Sequence, residues 1–296
     1  MQPTRHVAFY GSRQQEGHIP AITQLIGRLL EAGVKVSVEK KLASVISEGG
    51  FRLHVHGVKE CSRFPEDADL AVSVGGDGTF LRTARWLGGK EIPILGINTG
   101  HLGFLAENTT GHADTVADLV LSSDYTLERR LVLQVDYDPQ PAAPGTPKSG
   151  EAFALNEVAF MKGAASMIDI DVKLDDFHLS TYRADGLLVA TPTGSTAYNL
   201  SVGGPILAPT LSNIVLSPVA PHTLTQRPIV VSADSIIEAT VFSRVHDFRL
   251  SIDGSPVTLP CGSMVRIKKA PHSVLTIRRP GENFASTLRS KLLWGH

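Results

Sequence analysis

Two rhythms of apolar positions divide the chain. In the first, short apolar runs alternate with segments whose apolar residues recur every three or four positions. His6-Val7-Ala8-Phe9-Tyr10 reads as a strand stopped by Gly11-Ser12. Pro20 suits a first helical position, and Ile22, Leu25, Ile26, Leu29 and Leu30 trace one helix face that ends at Gly33. Residues 34–38 begin the next strand and 71–74 another. Helical spacing follows at Phe80, Leu81, Ala84 and Leu87, and then a strand at 92–97. Strands alternating with helices imply a parallel sheet covered by helices, with ligands beyond the carboxyl ends of the strands. The turn after Val74 and the turn Asn98-Thr99-Gly100-His101-Leu102-Gly103-Phe104 are expected to face one crevice.

Near Leu131 the rhythm changes. Ile168, Ile170, Val172 and Leu174 alternate with Asp169, Asp171, Lys173 and Asp175, and Phe248, Leu250 and Ile252 alternate with Arg249, Ser251 and Asp253. Period two marks half-buried antiparallel strands. Further strands are expected at 229–231, 236–242, 264–268 and 274–278. The fold class is therefore an α/β N-terminal domain with a parallel, Rossmann-like sheet, plus a β-rich C-terminal domain built as a sandwich or layered sheets. Residues 138–151 hold four prolines and two glycines and read as an exposed loop or hairpin tip. Phe284, Leu288 and Leu292 recur at helical spacing, so a C-terminal helix is expected to dock on another part of the chain.

Composition narrows this picture only a little. At 296 residues the chain is long for one core and natural for two domains. A formal net charge of -1 gives no electrostatic reason to expect nucleic acid or an anionic membrane, so any anionic ligand must be held locally. Two cysteines, Cys61 and Cys261, lie far apart and argue for a reducing cytoplasm rather than a disulfide framework. No apolar run has the length of a membrane span, and residues 1–11 lack the features of a signal peptide.

The chemistry concentrates in a few turns. Gly75-Gly76-Asp77-Gly78-Thr79 joins a strand to a helix. Glycines there let a ligand approach the main chain, and free N–H groups at a helix N-terminus attract anions, phosphate above all. A solvated aspartate in a glycine turn is the plainer reading. Either way, a substitution of Asp77 is expected to cost little stability, because the glycines and not this side chain constrain the turn. A second stretch runs Tyr182-Arg183-Ala184-Asp185-Gly186, an apolar strand, then Thr191-Pro192-Thr193-Gly194-Ser195-Thr196-Ala197-Tyr198-Asn199-Leu200-Ser201, with Ser195 available as a helix cap. Its hydroxyl, amide and aromatic groups suit ribose oxygens and a flat base, or simply a polar loop capping a helix. Asn156-Glu157 falls in a strand-like stretch, 153–160, where adjacent side chains should point to opposite faces and one of the pair meets water.

Taken together and in order, Gly75-Gly76-Asp77-Gly78-Thr79, Asn98 to Phe104, Asn156-Glu157, Asp185-Gly186, Thr191 to Tyr198 and Gly203-Gly204-Pro205 resemble the NAD kinase family over most of the chain. Pro221-His222-Thr223-Leu224 and Arg227-Pro228 resemble its bacterial members. The resemblance implies ATP-dependent phosphorylation of the adenosine ribose 2′-hydroxyl of NAD to give NADP, a divalent cation (magnesium, with manganese as an alternative), and a homodimer or homotetramer. It also implies a nucleotide-binding domain over 1–130 to which residues 279–296 return after an NAD-binding domain over 131–278. By the same resemblance Asp77 is the catalytic carboxylate, and Gly75, Gly76, Gly78 and Thr79 cradle phosphates. Asn156 and Glu157 hold the adenosine portion, Asp185 meets the nicotinamide end, and Thr196, Ala197, Tyr198 and Ser201 wall the base. Phe104 and Ala220 join the binding residues. So does Arg183, at a position where members vary.

Rival motifs are absent. The chain has no P-loop, no Gly-x-Gly-x-x-Gly after the first strand and no Gly-x-Ser-x-Gly elbow. With no lysine in the glycine turn, phosphate charge must be met by the cation and backbone dipoles, helped by an arginine that the spacing alone does not identify. His54 and His56 near Cys61 read as exposed strand residues, since nothing nearby completes a metal site and no metal ligand is assigned. Two alternatives to a NAD kinase remain. A lipid kinase sharing the Gly-Gly-Asp-Gly turn would need an apolar channel, which the polar 191–201 wall speaks against. A dinucleotide sensor without turnover would have no use for Asp77 as a base.

Overall fold

The computed structural model describes residues 4–11, 16–100, 103–106, 108–109, 113–139, 149–163 and 166–292. The chain forms two compact units, Met1–Arg129 with Val274–His296, and Arg130–Ser273. The first begins β1 (His6–Gly11), α1 (Ile19–Glu31), β2 (Lys35–Glu39), α2 (Lys40–Glu48), β3 (Lys59–Cys61), β4 (Leu70–Val74), α3 (Asp77–Leu87), β5 (Ile94–Asn98), β6 (Asn108–Thr109), α4 (Ala113–Ser122) and β7 (Thr126–Arg130). Strands β3, β2, β1, β4 and β5 pair in that order and all in parallel. Every residue of β4 and β5 is buried, as a sheet covered on both faces requires. Ile22, Leu25, Ile26 and Leu29 of α1 and Val116 and Val120 of α4 pack into the same core as Val7, Phe9, Val72 and Val74. Pro20 occupies the second helical position of α1, still in the first turn, where its missing N–H leaves no acceptor unsatisfied. His54 and His56 are exposed as expected, but they lie on a short 3-10 turn, Leu53–His56, rather than on a strand.

The second unit contains β8 (Leu133–Asp138), β9 (Gly150–Ala154), β10 (Glu157–Lys162), β11 (Ile168–Leu174), β12 (Phe177–Ala184), β13 (Gly186–Ala190), the one-turn α5 (Tyr198–Ser201), β14 (Asn213–Val219), β15 (Ile229–Ser232), β16 (Ile237–Phe242), β17 (Asp247–Ile252), β18 (Ser255–Pro260) and β19 (Met264–Lys269). They form two six-stranded antiparallel sheets, ordered β15-β14-β13-β10-β17-β18 and β12-β11-β16-β19-β8-β9. Alternate residues of both sheets meet in one core, Ile168, Ile170, Val172, Ile237 and Val265 from one and Phe160, Leu187, Val189, Phe248 and Leu250 from the other. The arrangement is a sandwich. Residues 138–151 are the tip of the β8–β9 hairpin, whose register pairs Tyr137 with Gly150; positions 140–148 of that stretch lie outside the described residues.

Two boundaries differ from the sequence expectation. Residues 153–160 are not one strand. Ala154 ends β9 in one sheet and Glu157 opens β10 in the other, so Leu155 and Asn156 are where the chain changes sheets. The second concerns the return to the first unit. It begins with β20 (Val274–Arg278), which pairs in parallel with β5 and is followed in sheet order by β7, and then α6 (Phe284–Leu292). Val274–Arg278 therefore belongs to the parallel sheet and not to the β-rich unit. All five of its residues are buried, and an apolar run of that length reads alike in either kind of sheet.

Candidate functional site

In the first unit the site is built where β4 passes into α3. Gly75 takes φ +147, and a side chain there would collide with Thr79. Its N–H donates to Ile97 O at 2.9 Å, tying the turn to β5. The helix starts at Asp77, three residues before Phe80, the first position of the apolar spacing, with Gly76 as an N-cap that offers no side-chain acceptor. The N–H groups of Asp77 and Gly78, at the first two helical positions, have no intrahelical acceptor and stand at the positive end of the helix.

The Asp77 carboxylate does more than meet solvent. Oδ2 accepts the Phe104 N–H at 2.7 Å, and Oδ1 accepts those of Leu105 at 3.0 Å and Ala106 at 3.2 Å. Three successive backbone donors of the loop after β5 thus converge on one side chain, which brings the two turns together. Gly103 is required by space, because a Cβ there would fall on the Asp77 carboxylate. Asn98 braces the same loop, accepting the Gly100 N–H at 2.7 Å and donating to Ala106 O at 3.3 Å. His101 and Leu102 of that motif lie outside the described residues. A carboxylate has about four acceptor directions, so Oδ2 keeps one for a ligand. The expectation that Asp77 matters little to stability is therefore corrected: replacing it strands backbone donors.

Two further residues complete this end of the unit. Arg82 donates to Thr79 Oγ1 at 2.9 Å, and its charge acts on the Tyr10 hydroxyl near the end of β1. It is the cation beside the glycine turn that spacing did not single out; its position three residues after Thr79, on the same helix face, is the signal that could have found it. Phe104 is half-buried, and Lys291 Nζ of α6 lies 5.0 Å from its ring centroid, which shows where the C-terminal helix docks.

In the second unit the predicted residues fall into two groups. The first surrounds the change of sheets at Leu155–Asn156. Thr191 binds that turn twice, its N–H donating to Asn156 O at 2.9 Å and its hydroxyl to Leu155 O at 2.6 Å. The same hydroxyl accepts the Gly194 N–H at 3.0 Å. Thr191 therefore caps the turn that follows, while Ser195, expected as the cap, is fully buried and bridges Pro192 O and the Leu207 N–H. Asn199 is equally buried, donating to Ser195 O and Pro205 O and accepting from Ser217 Oγ at 2.6 Å. This satisfied network fixes α5 with Tyr198 and Ser201 outward; the Tyr198 side is 39% exposed and Thr196 and Ala197 are half-buried beside it.

Asn156 and Glu157 are both half-buried, so neither simply meets water. Their backbone N–H groups, with that of Leu155, all donate to the Asp253 carboxylate. Among the described residues Glu157 Oε2 is buried with no hydrogen-bond partner. Burial, and then the neighbouring Asp253 charge, push the Glu157 carboxyl up to about 7.

The second group stands at the other end of the same strands. Glu157 pairs with Ala190 and Met161 with Gly186, which separates Glu157 from Asp185 by about 17 Å along β10. Asp185 accepts from Lys162 Nζ at 2.7 Å, and its N–H donates to Val219 O. Ala220, next along, has φ +45, a conformation rare for a residue with a Cβ. Arg183 is turned to Asp169 across the β11–β12 pair, with Nε at 2.8 Å, and this contact holds the Asp169 carboxyl below its ordinary range. Lys162 was not a sequence candidate; nothing in its strand pattern distinguishes it from a solvated end. Among the described residues no group of three or more His, Cys, Asp or Glu is placed to hold a metal ion, and no helix is long and apolar enough to cross a membrane.

Comparison with known proteins places both units in one family. A model of the ATP-NAD kinase N-terminal domain matches residues 9–125, and one of the ATP-NAD kinase C-terminal domain matches residues 155–279. A NAD kinase of Porphyromonas gingivalis is 42% identical over 293 residues, 98% of either chain, and one of Bacteroides fragilis is 46% identical over 230 residues, 77% of either chain. Among solved structures, yeast NADH kinase complexed with NADH superposes with a TM-score of 0.87 at 25% identity, covering 100% of this chain and 89% of that one. An Archaeoglobus fulgidus NAD kinase in complex with ATP gives 0.71 at 27% identity, covering 96% and 99%. With both halves matched by the family's domains and its relatives aligned from end to end, the chain belongs to the NAD kinase family.

Proposed function

We propose that the protein transfers the γ-phosphoryl group of ATP to the 2′-hydroxyl of the adenosine ribose of NAD, giving NADP. The observation that carries this reading is Asp77, a carboxylate fixed by three backbone donors at the mouth of a glycine turn, with one acceptor direction left open. The 2′-oxygen attacks the γ-phosphorus, its proton passes to Asp77 Oδ2, and the bond from γ-phosphorus to the bridging oxygen breaks as ADP leaves. A sugar hydroxyl is a poor nucleophile until such a base takes its proton. The N–H groups of Asp77 and Gly78 face the phosphates, and Arg82 supplies the positive charge that a P-loop lysine would. A divalent cation, magnesium or manganese, would be held chiefly by the triphosphate oxygens, since no cluster of carboxylate, His or Cys ligands stands among the described residues, and it would supply charge neutralisation there.

In the β-rich unit Asn156 and Glu157 hold the adenosine portion, Tyr198 stacks on a base with Thr196, Ala197 and Ser201 beside it, and Asp185 with Lys162 and Ala220 meets the nicotinamide end. The buried hydroxyl and amide groups behind that wall disfavour the apolar channel a lipid substrate needs. We further infer a homo-oligomer working in the cytoplasm, where free Cys61 and Cys261 thiols stay reduced. Incubating the purified protein with NAD, ATP and magnesium tests the reading. NADP should form, formation should stop in excess chelator and resume with magnesium or manganese. Binding of NAD without any NADP would favour the sensor, and full activity in chelator would remove the cation from the scheme.

A further inference from the structure

The hairpin between β17 and β18 turns through Asp253 and Gly254, with φ +45 and +75 and Ile252 paired to Ser255. This two-residue turn favours Asp-Gly for backbone reasons alone. The Asp253 side chain, however, leaves its own turn and reaches a segment far away in sequence. Oδ2 accepts the Leu155 N–H at 2.7 Å, and Oδ1 accepts those of Asn156 at 2.8 Å and Glu157 at 3.1 Å. The Asp253 N–H returns a bond to Glu157 O at 3.1 Å. Leu155 and Asn156 lie between β9 and β10, where the chain changes sheets, so their N–H groups stand outside both ladders, and a buried donor must find an acceptor somewhere.

We propose that Asp253 is a positioning residue for dinucleotide binding, holding the Asn156–Glu157 turn in the one conformation that presents both side chains to the adenosine ribose. This rests on the reading that those two residues bind NAD. Asp253 acts through them and touches no reacting atom. Its charge has a second effect. The strands flanking the start of β10 present Ala190 and Thr191 on one side and Ile252 on the other, none ionisable, so among the described residues Asp253 is the ionisable group acting on Glu157. Burial first, and then the Asp253 charge, push the Glu157 carboxyl up to about 7, within the range of an ordinary assay.

The test uses the full chain, steady-state kinetics with varied NAD at saturating ATP and magnesium, and a pH series. Asp253→Asn keeps the size but loses the charge and places an NH2 among N–H donors. The KM for NAD should rise about 10-fold while kcat stays within about threefold. The midpoint near neutrality in the pH dependence of KM should move to lower pH, since Glu157 loses a repelling neighbour. Asp253→Ser, which retains one acceptor without charge, should act in the same direction and serves if the asparagine variant does not fold. Glu157→Gln should weaken NAD and abolish the midpoint. If Glu157→Gln leaves NAD affinity and the midpoint untouched, the binding role of Glu157 fails. If it has both effects but the folded Asp253 variants keep the wild-type KM and midpoint, or lose kcat and thermal stability with no change in either, the positioning role is overturned.

Discussion

Each unit solves the same problem with the same device, and the comparison separates what a carboxylate does for the fold from what it does for chemistry. Asp77 gathers the N–H groups of residues 104–106, and Asp253 those of residues 155–157. In both cases a stretch where the chain leaves or enters a strand is fixed by one side chain, one oxygen accepting two donors and the other accepting one. The surroundings differ. Asp77 lies at the positive end of α3 among glycines, and on the proposed reading it meets the substrate itself. Asp253 sits in a hairpin turn beside the half-buried Glu157, and its influence passes through that second carboxyl. Satisfying the backbone is thus common to both residues, and what decides direct or indirect action is the space and charge around the carboxylate.

The sharpest way to break the comparison is Asp77→Asn. Turnover at saturating NAD should fall by roughly 10²–10⁴-fold with NAD affinity little changed, because the amide cannot take the proton. The same variant should lose about 1–3 kcal/mol of stability, as at least one N–H of the 104–106 loop faces an NH2. A rate above about a tenth of wild type would remove Asp77 as general base, and an unchanged unfolding free energy would remove the backbone cradle. Next in size, Gly103→Ala should displace the Asp77 carboxylate and cost about 100-fold in turnover, the scale expected when a catalytic group moves by about 1 Å. Normal kinetics in that variant would show that the carboxylate has latitude.

Glu157 offers a test on stability. Its folded value of about 7 lies above the ordinary 4.5, so the folded state resists ionisation. Below pH 4.5 both states are protonated and nothing is lost; as pH rises to 7 the unfolded chain ionises first, stability falls, and above that the loss is complete. Glu157→Gln, which cannot ionise, should therefore gain relative to wild type between pH 4 and pH 8, by about 3 kcal/mol at most. Denaturant unfolding at the two pH values measures it; a constant difference would place Glu157 in a wetter setting. The smallest effect concerns Tyr198. If its ring stacks on a base, Tyr198→Ala should weaken NAD binding by about 1–3 kcal/mol and Tyr198→Phe by much less. Equal losses would point to the hydroxyl.

The sequence by itself determined the two rhythms and hence the two kinds of sheet, because apolar periodicity reports burial on one face or both and needs no knowledge of neighbours. It also carried the glycine turn at Gly75 and the order of motifs that place the chain in its family. It could not decide where 274–278 would pair, since five buried strand residues read the same in parallel and antiparallel sheets. Nor could it break 153–160 into two strands: the local pattern is continuous, and only the sandwich requires the chain to change sheets at Leu155–Asn156. Lys162 and Asp253 escaped for a related reason. A charged side chain looks like a solvated one until its partner is known, and the partners of Asp77 and Asp253 lie tens of residues away or more. Long-range hydrogen bonds of that kind leave no periodic trace, so tertiary structure alone assigned them.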